Sequence, residues 1–329
     1  MKSNTRTHSE VVRPKEAGHS GNMTRREALS AVAGAAALAA ASHAASGDTA
    51  WIDAHSHIWP PETDRFPLAA GLTKKDLRPP SFTDDELMAV ARPEGVGRVV
   101  LIQHSGYHLF DNAYLIDAVR RHPARFRLVG MVDDRQPRPG AAMKQLLAQG
   151  ATGFRITPFI RKDDPEQWLD SPGMHEMWKT GAETRQAMCC LIDPRQLPGV
   201  DTMCQRYPNT PVVIDHFARI GADGQMRDND LQLLVRLARH KHTSVKISAF
   251  YALGQKKPPH LELVPMVRRL YETFGPQRLM WASDSPYQLQ GVNSYRASIS
   301  LVRDRLDFVS AADRAWLLCK TAESVFFFA

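Results

Sequence analysis

From Trp51 to the C-terminus the chain alternates short apolar runs with longer amphipathic stretches, and that alternation limits it to very few architectures. The runs are residues 51–59, 98–103, 126–132, 153–157, 187–192, 211–216, 244–248 and 278–284. Several are almost continuously apolar, as strands covered on both faces must be. Between them lie helical patterns. Residues 111–122, DNAYLIDAVRRH, open on Asp111 as a cap and end in basic side chains that complement the helix dipole. Ser310 with Asp313 opens the last helix as a capping box, Asp standing in place of Glu or Gln. Proline pairs at 60–61, 79–80 and 258–259 and the segment 137–140 mark loops. Eight strand–helix units of this total length fit a (β/α)8 TIM barrel, typically about 250 residues. A doubly wound sheet is the rival, but no Gly-x-Gly-x-x-Gly follows the first run. No linker interrupts the pattern, so residues 48–329 read as one α/β domain.

The first 47 residues read differently. Residues 1–22 are polar and without period. Arg25-Arg26 then precede a weakly apolar run, 28–41, followed by the small-residue segment Ser42-His43-Ala44. A basic region, a short apolar run and a small-residue cleavage site are the anatomy of an export signal. The paired arginines favour the twin-arginine route, with Ala28 where a Phe is usual. The expectation is a periplasmic or secreted protein whose mature form starts near residue 45 and has no stable membrane span, the run being too short for one. That route carries folded proteins and suits one that acquires a metal before export.

The net charge of +7 is scattered. No basic stripe interleaved with aromatics appears, so nucleic acid is not an expected partner. Cys189, Cys190, Cys204 and Cys319 contain no CxxC pair. They read as small core residues, with Cys189 and Cys190 on opposite faces of a strand; a Cys190–Cys204 bridge is the one pairing the spacing leaves open.

In such a barrel the reacting groups sit at the C-terminal ends of the strands. His55 and His57 are two apart and face one way on the first strand, and Asp53 shares their parity one step deeper. Two such imidazoles can bind one divalent ion. His216 ends the sixth run and Arg219 follows it. Asp284 ends the eighth, where a carboxylate can ligate a metal, accept a proton from water, or simply cap the turn at Ser283–Pro286. Arg155 ends the fourth run, and Arg side chains hold carboxylates bidentately or sit in buried ion pairs. Gln103, His104, Ser105 and Tyr107 follow the second run; Tyr287 and Gln288 follow the eighth. Lys246, in VKIS, points either into the barrel or onto a helix, and the pattern leaves this open. His122, His175, His240 and His242 read as surface residues.

Together these motifs resemble the amidohydrolase-related family (amidohydrolase family 2). They are Asp53-Ala54-His55-Ser56-His57, Gly153-Phe154-Arg155-Ile156, Asp193-Pro194-Arg195-Gln196-Leu197-Pro198, Val213-Ile214-Asp215-His216-Phe217-Ala218-Arg219, Trp281-Ala282-Ser283-Asp284-Ser285-Pro286 and Lys320-Thr321-Ala322-Glu323. The style is that of the branch with sugar-acid and pyrone-dicarboxylate lactonases. The resemblance implies a barrel of the metal-dependent-hydrolase type acting on C–O or C–N bonds or decarboxylating aromatic acids, often with one divalent metal. One departure stands out: many metal-binding members carry a histidine at the end of strand five, where this chain has Asp193. Two site chemistries follow. In one, His55, His57 and Asp284 hold zinc or manganese, with Asp193 or His216 as a candidate fourth ligand. In the other there is no metal, and His216 polarises a carbonyl while Asp284 activates water.

The expected function is hydrolysis of a lactone or related bond in a small carboxylated or sugar-acid substrate. Asp284 and His216 are the catalytic pair, and Arg155, Arg219, His104, Tyr107 and Tyr287 contact an anionic or polyhydroxylated substrate. The alternatives are a metal-dependent decarboxylase of an aromatic acid and a non-catalytic periplasmic binding protein. A homo-oligomer is compatible with all three.

Overall fold

In the computed structural model, residues 51–160 and 168–328 are described; the expected export signal lies outside them. Eight strands, β1 (Trp51–Ser56), β2 (Val96–Ile102), β3 (Phe126–Gly130), β4 (Ala151–Ile156), β5 (Ala187–Cys190), β6 (Val212–Ile214), β7 (Thr243–Ile247) and β8 (Leu279–Trp281), form one sheet in sequence order. Each pairs in parallel with the next. A helix follows every strand: α1 (Asp84–Ala91), α2 (Ala113–Arg121), α3 (Pro139–Leu147), α4 (Pro172–Thr184), α5 (Leu197–Arg206), α6 (Asp228–Arg236), α7 (Val264–Phe274) and α8 (Tyr295–Asp304). The short helices α9 (Ala311–Ala315) and α10 (Thr321–Phe326) end the chain. This is the eightfold barrel that the alternation predicts.

The strands' side chains divide into two layers, as a period of two requires. One set, including Val99, Leu101, Phe154, Cys190, Ile214, Val245 and Trp281, packs under the helices. The other, including Ile52, Val100, Val129, Ala187, Cys189, Val213 and Met280, fills the barrel, with Phe326 of α10 in the same cluster. Cys189 and Cys190 thus face opposite ways, and all four cysteines are free and buried. Ser310 caps α9 by accepting from the Asp313 amide. Asp111 sits one residue before the cap position of α2 and accepts from the Ala113 amide.

The observed strands β6 and β8 are shorter than the apolar runs. The reason lies in the backbone. His216, Phe217, Ala218 and Arg219 all have positive φ, 51° to 58°, as does Asp284 at 59°. The chain leaves the ladder in left-handed turns just where the polar residues begin.

The barrel closes between β8 and β1. Two backbone bonds cross this seam, His57 N to Ser285 O at 2.8 Å and Asp284 N to His55 O at 2.8 Å. The rest is side-chain chemistry on one buried carboxylate. Asp53 accepts from Ser283 N (2.9 Å), Ser283 Oγ (2.5 Å), Ser56 Oγ (2.8 Å), the His55 amide (3.0 Å) and the Tyr295 hydroxyl (2.9 Å). The register of β1 shifts between Asp53 and Ser56. The shared parity expected of Asp53 and the histidines therefore fails: Asp53 turns to the seam and His55 into the barrel.

Asp53→Ala leaves those buried donors without an acceptor, so it is expected to lower the unfolding free energy by ~3 kcal/mol or more. Asp53→Asn, which keeps one acceptor oxygen, should cost less. Denaturant titration of both variants checks the order; equal losses would show that the hydrogen bonds do not carry the seam.

Candidate active site

The C-terminal mouth of the barrel gathers His55 from β1 and His57 just after it, Arg155 from β4, Asp215 and His216 after β6, Lys246 from β7 and Ser248 just after it, and Asp284 after β8. Of these, His57, Arg155, His216 and Asp284 line a cavity of about 550 Å³, together with Arg219, Tyr251 and Tyr287. The left-handed turns at 216–219 and 284 aim His216 and Asp284 into it. Each such non-glycine residue costs ~1–2 kcal/mol, a cost met at functional sites by the surrounding packing.

Hydrogen bonds set the histidine tautomers. His57 Nδ1 donates to Ile102 O at 2.9 Å, which leaves the Nε2 lone pair facing the cavity. His55 Nε2 accepts from Arg155 Nη2 at 2.8 Å. Its Nδ1 faces the Lys246 ammonium at 3.3 Å and Asp215 Oδ1 at 3.5 Å. Burial, and then the Lys246 charge, hold the pKa of His55 well below the usual imidazole value. Burial and then Arg155 bring His57 down to about 3. His216, lowered by burial as well, places Nδ1 2.8 Å from Ser248 Oγ. All three are neutral at neutral pH, the form that ligates a metal or accepts a proton.

Among the described residues, Asp284 is the one carboxylate lining the cavity. Its Oδ2 accepts from the Tyr251 hydroxyl at 2.7 Å and lies 3.7 Å from His216 Nε2. Its Oδ1 is buried and has no hydrogen-bond partner among the described residues. Burial raises its pKa, against the opposing pull of His216 and Tyr251. Asp215 behaves in the opposite way. Burial alone would raise it, but Lys246 at 3.0 Å and His55 hold it well below the carboxylate range.

Three donor atoms suit a cation. His55 Nε2, His57 Nε2 and Asp284 Oδ1 are separated by 3.3, 3.4 and 3.5 Å. Ligands about 2.0–2.2 Å from one tetrahedral ion stand at such separations, and two imidazoles with a carboxylate are a common zinc set. The orphaned Oδ1 and the inward lone pair of His57 fit that use. His55, Asp215 and His216 form a second cluster of this kind around the same imidazole.

Other expected residues fall in three places. His104 and Tyr287 border the cavity bonded to each other, Tyr107 N donating to His104 Nδ1 at 2.9 Å. Tyr107, expected to contact substrate, is not among the lining residues: it stacks on His104, ring centroids 4.0 Å apart, and its hydroxyl accepts from Arg78 N. Arg219 lines the cavity while paired with Asp193 at 2.8 Å. Asp193 is thereby corrected too, since it belongs to neither candidate metal cluster among the described residues. Gln103 and Gln288 spend their amides on backbone carbonyls. His122, His175, His240 and His242 stay outside the site. Sequence reasoning missed Asp215, Ser248 and Tyr251 and left Lys246 undecided. With Val245 and Ile247 facing helices, the alternation in VKIS points Lys246 and Ser248 inward, and that signal was present; Tyr251 lies in a single 3-10 turn, Phe250–Ala252, and carried none.

A family model described as Amidohydrolase matches residues 52–328. The chain is 27% identical over 244 residues to the L-fucono-1,5-lactonase of Burkholderia ambifaria, covering 71% of this chain and 80% of that protein. It is 27% identical over 238 residues to the 4-sulfomuconolactone hydrolase of Rhizobium radiobacter, covering 72% and 76%. Its fold matches an amidohydrolase from Burkholderia multivorans with a TM-score of 0.70 at 24% identity, over 85% of this chain and 100% of that one.

Tyr251→Phe removes the donor that fixes Asp284 Oδ2 while leaving the ring. Losing a charge-assisted hydrogen bond costs ~1.5–3 kcal/mol, so we expect turnover to fall about tenfold or more with KM little changed. Steady-state kinetics on any accepted substrate checks this; an unchanged kcat would remove Tyr251 from the site.

Proposed function

The chain belongs to the amidohydrolase family, and on that premise we propose that it is a hydrolase opening the cyclic ester of a small carboxylated or sugar-acid substrate. One observation carries the reading. The unpartnered oxygen of Asp284 sits in a cavity whose other charged walls include the cations Arg155 and Arg219. The lactone substrates named for the two relatives support the choice of bond.

Asp284 is the general base. Its Oδ1 takes a proton from water as the water oxygen bonds to the ester carbonyl carbon. The tetrahedral species then collapses, the ring C–O bond breaks, and the leaving alkoxide takes the proton back from Asp284. Tyr251 holds the carboxylate in place through Oδ2. His216 Nε2 stands beside that same oxygen, and Ser248 orients its ring. Arg155 and Arg219 hold the substrate carboxylate, and the His104–Tyr287 pair offers polar contact to ring hydroxyls. Zinc or manganese, held by His55, His57 and Asp284, would supply Lewis acidity toward the carbonyl and lower the pKa of water. With a buried base already raised by its surroundings, the chain's own groups account for proton transfer and positioning.

Asp284→Asn keeps the shape and the hydrogen bond from Tyr251 but removes the base. We expect kcat to fall by at least about a hundredfold, the scale of general-base catalysis, with unchanged circular dichroism. A panel of sugar-acid and dicarboxylate lactones, assayed by acid release, measures it. Activity near that of the wild type would sink the role.

A further inference from the structure

His55 is claimed from both sides. Its Nε2 lone pair, one of the three that point at the cation position, already accepts from Arg155 at 2.8 Å. A ring nitrogen has one lone pair and cannot serve a guanidinium and a metal together. On the other edge the Lys246 ammonium stands 3.3 Å from Nδ1. Both cations are buried, Arg155 at 6% exposure and Lys246 at 0%. Asp215 ties them together, 3.0 Å from Lys246 and 3.7 Å from Arg155. Phe326 closes the barrel beneath, its ring centroid 5.4 Å from the ammonium, so Lys246 has no aqueous position to retreat to. Counted together, Arg155 and Lys246 balance Asp215 and Asp284 while the imidazoles are neutral. A divalent ion added here leaves the buried cluster with excess positive charge.

We propose that Arg155 and Lys246 are internal antagonists of metal binding: Arg155 competes for the His55 lone pair, Lys246 repels the ion from behind, and together they make the site weak and exchangeable. The inference rests on the reading that His55, His57 and Asp284 are the ligands. It also gives Arg155 a second partner beside the substrate carboxylate: His55, which its Nη2 holds while no metal is bound.

The sign of the effect separates this role from a structural one. Damage to the barrel weakens metal binding, whereas removing an antagonist strengthens it. Zinc affinity is measured by competition with a chromophoric chelator on the purified wild type, Arg155→Met, Lys246→Met and His57→Ala, each checked for folding by circular dichroism. We expect Kd to drop about tenfold or more in each methionine variant, as the loss of a neighbouring unit charge at short range implies, and to rise in His57→Ala. Should Lys246→Met not fold, because Asp215 is left poorly paired, Arg155→Met at the cavity wall decides alone. A Kd within twofold of the wild type, or a weaker one, in the folded variants overturns the proposal. If His57→Ala binds zinc like the wild type, the ligand assignment fails and the proposal with it. Lactone hydrolysis by the wild type, assayed separately, keeps the fate of the proposed activity distinct from either result.

Discussion

The carboxylate of Asp53 is the constraint on which the site depends. Seven of the barrel's eight junctions are parallel ladders. The eighth, between β8 and β1, joins the two strands that carry His55, His57 and Asp284. It is held by two backbone bonds and by the donors converging on Asp53. Because those donors come from β1, the turn after β8 and α8, one buried carboxylate sets the distance between the histidine pair and Asp284. Burial raises the pKa of Asp53, and the hydrogen bonds from Ser283, His55 and Ser56 pull against that rise. The same turn of the chain that sends Asp53 to the seam breaks the register of β1 and swings His55 inward.

Around that seam the molecule keeps its imidazoles neutral and its carboxylates unlike one another. Burial strips the proton from His55, His57 and His216. Asp215, braced by Lys246, is held low, while burial raises the pKa of Asp284, whose Oδ1 has no hydrogen-bond partner among the described residues. Two carboxylates whose environments push their pKa values apart are a usual means of running proton transfer near neutral pH, and that contrast is what the proposed role of Asp284 as base rests on. The left-handed turns at the ends of β6 and β8 are the backbone counterpart of this arrangement.

Much of this was legible in the residues. Eight apolar runs named eight strands because strands covered on both faces need little else, and HSH, IDH and SDS marked three of the strand ends that matter. What escaped did so for physical reasons. Strand ends at 216 and 284 looked longer than they are because positive φ leaves no trace in hydrophobicity. Tyr107 was expected at the cavity and instead supports His104, since a loop aromatic carries no period that fixes its direction. Asp193 looked free to bind a metal until Arg219 was seen to claim it. Tyr251 and Asp215 meet Asp284 and His55 only through long-range closure of the barrel.

The central claim is that Asp284-activated water attacks the carbonyl of a cyclic ester. The most direct test is single-turnover ring opening of an accepted lactone in ¹⁸O-labelled water, followed by mass spectrometry of the product. The account predicts one labelled oxygen in the new carboxylate and none in the released hydroxyl. Label in the hydroxyl, carbon dioxide release from an aromatic acid in place of lactone opening, or binding of lactones with no turnover would contradict it.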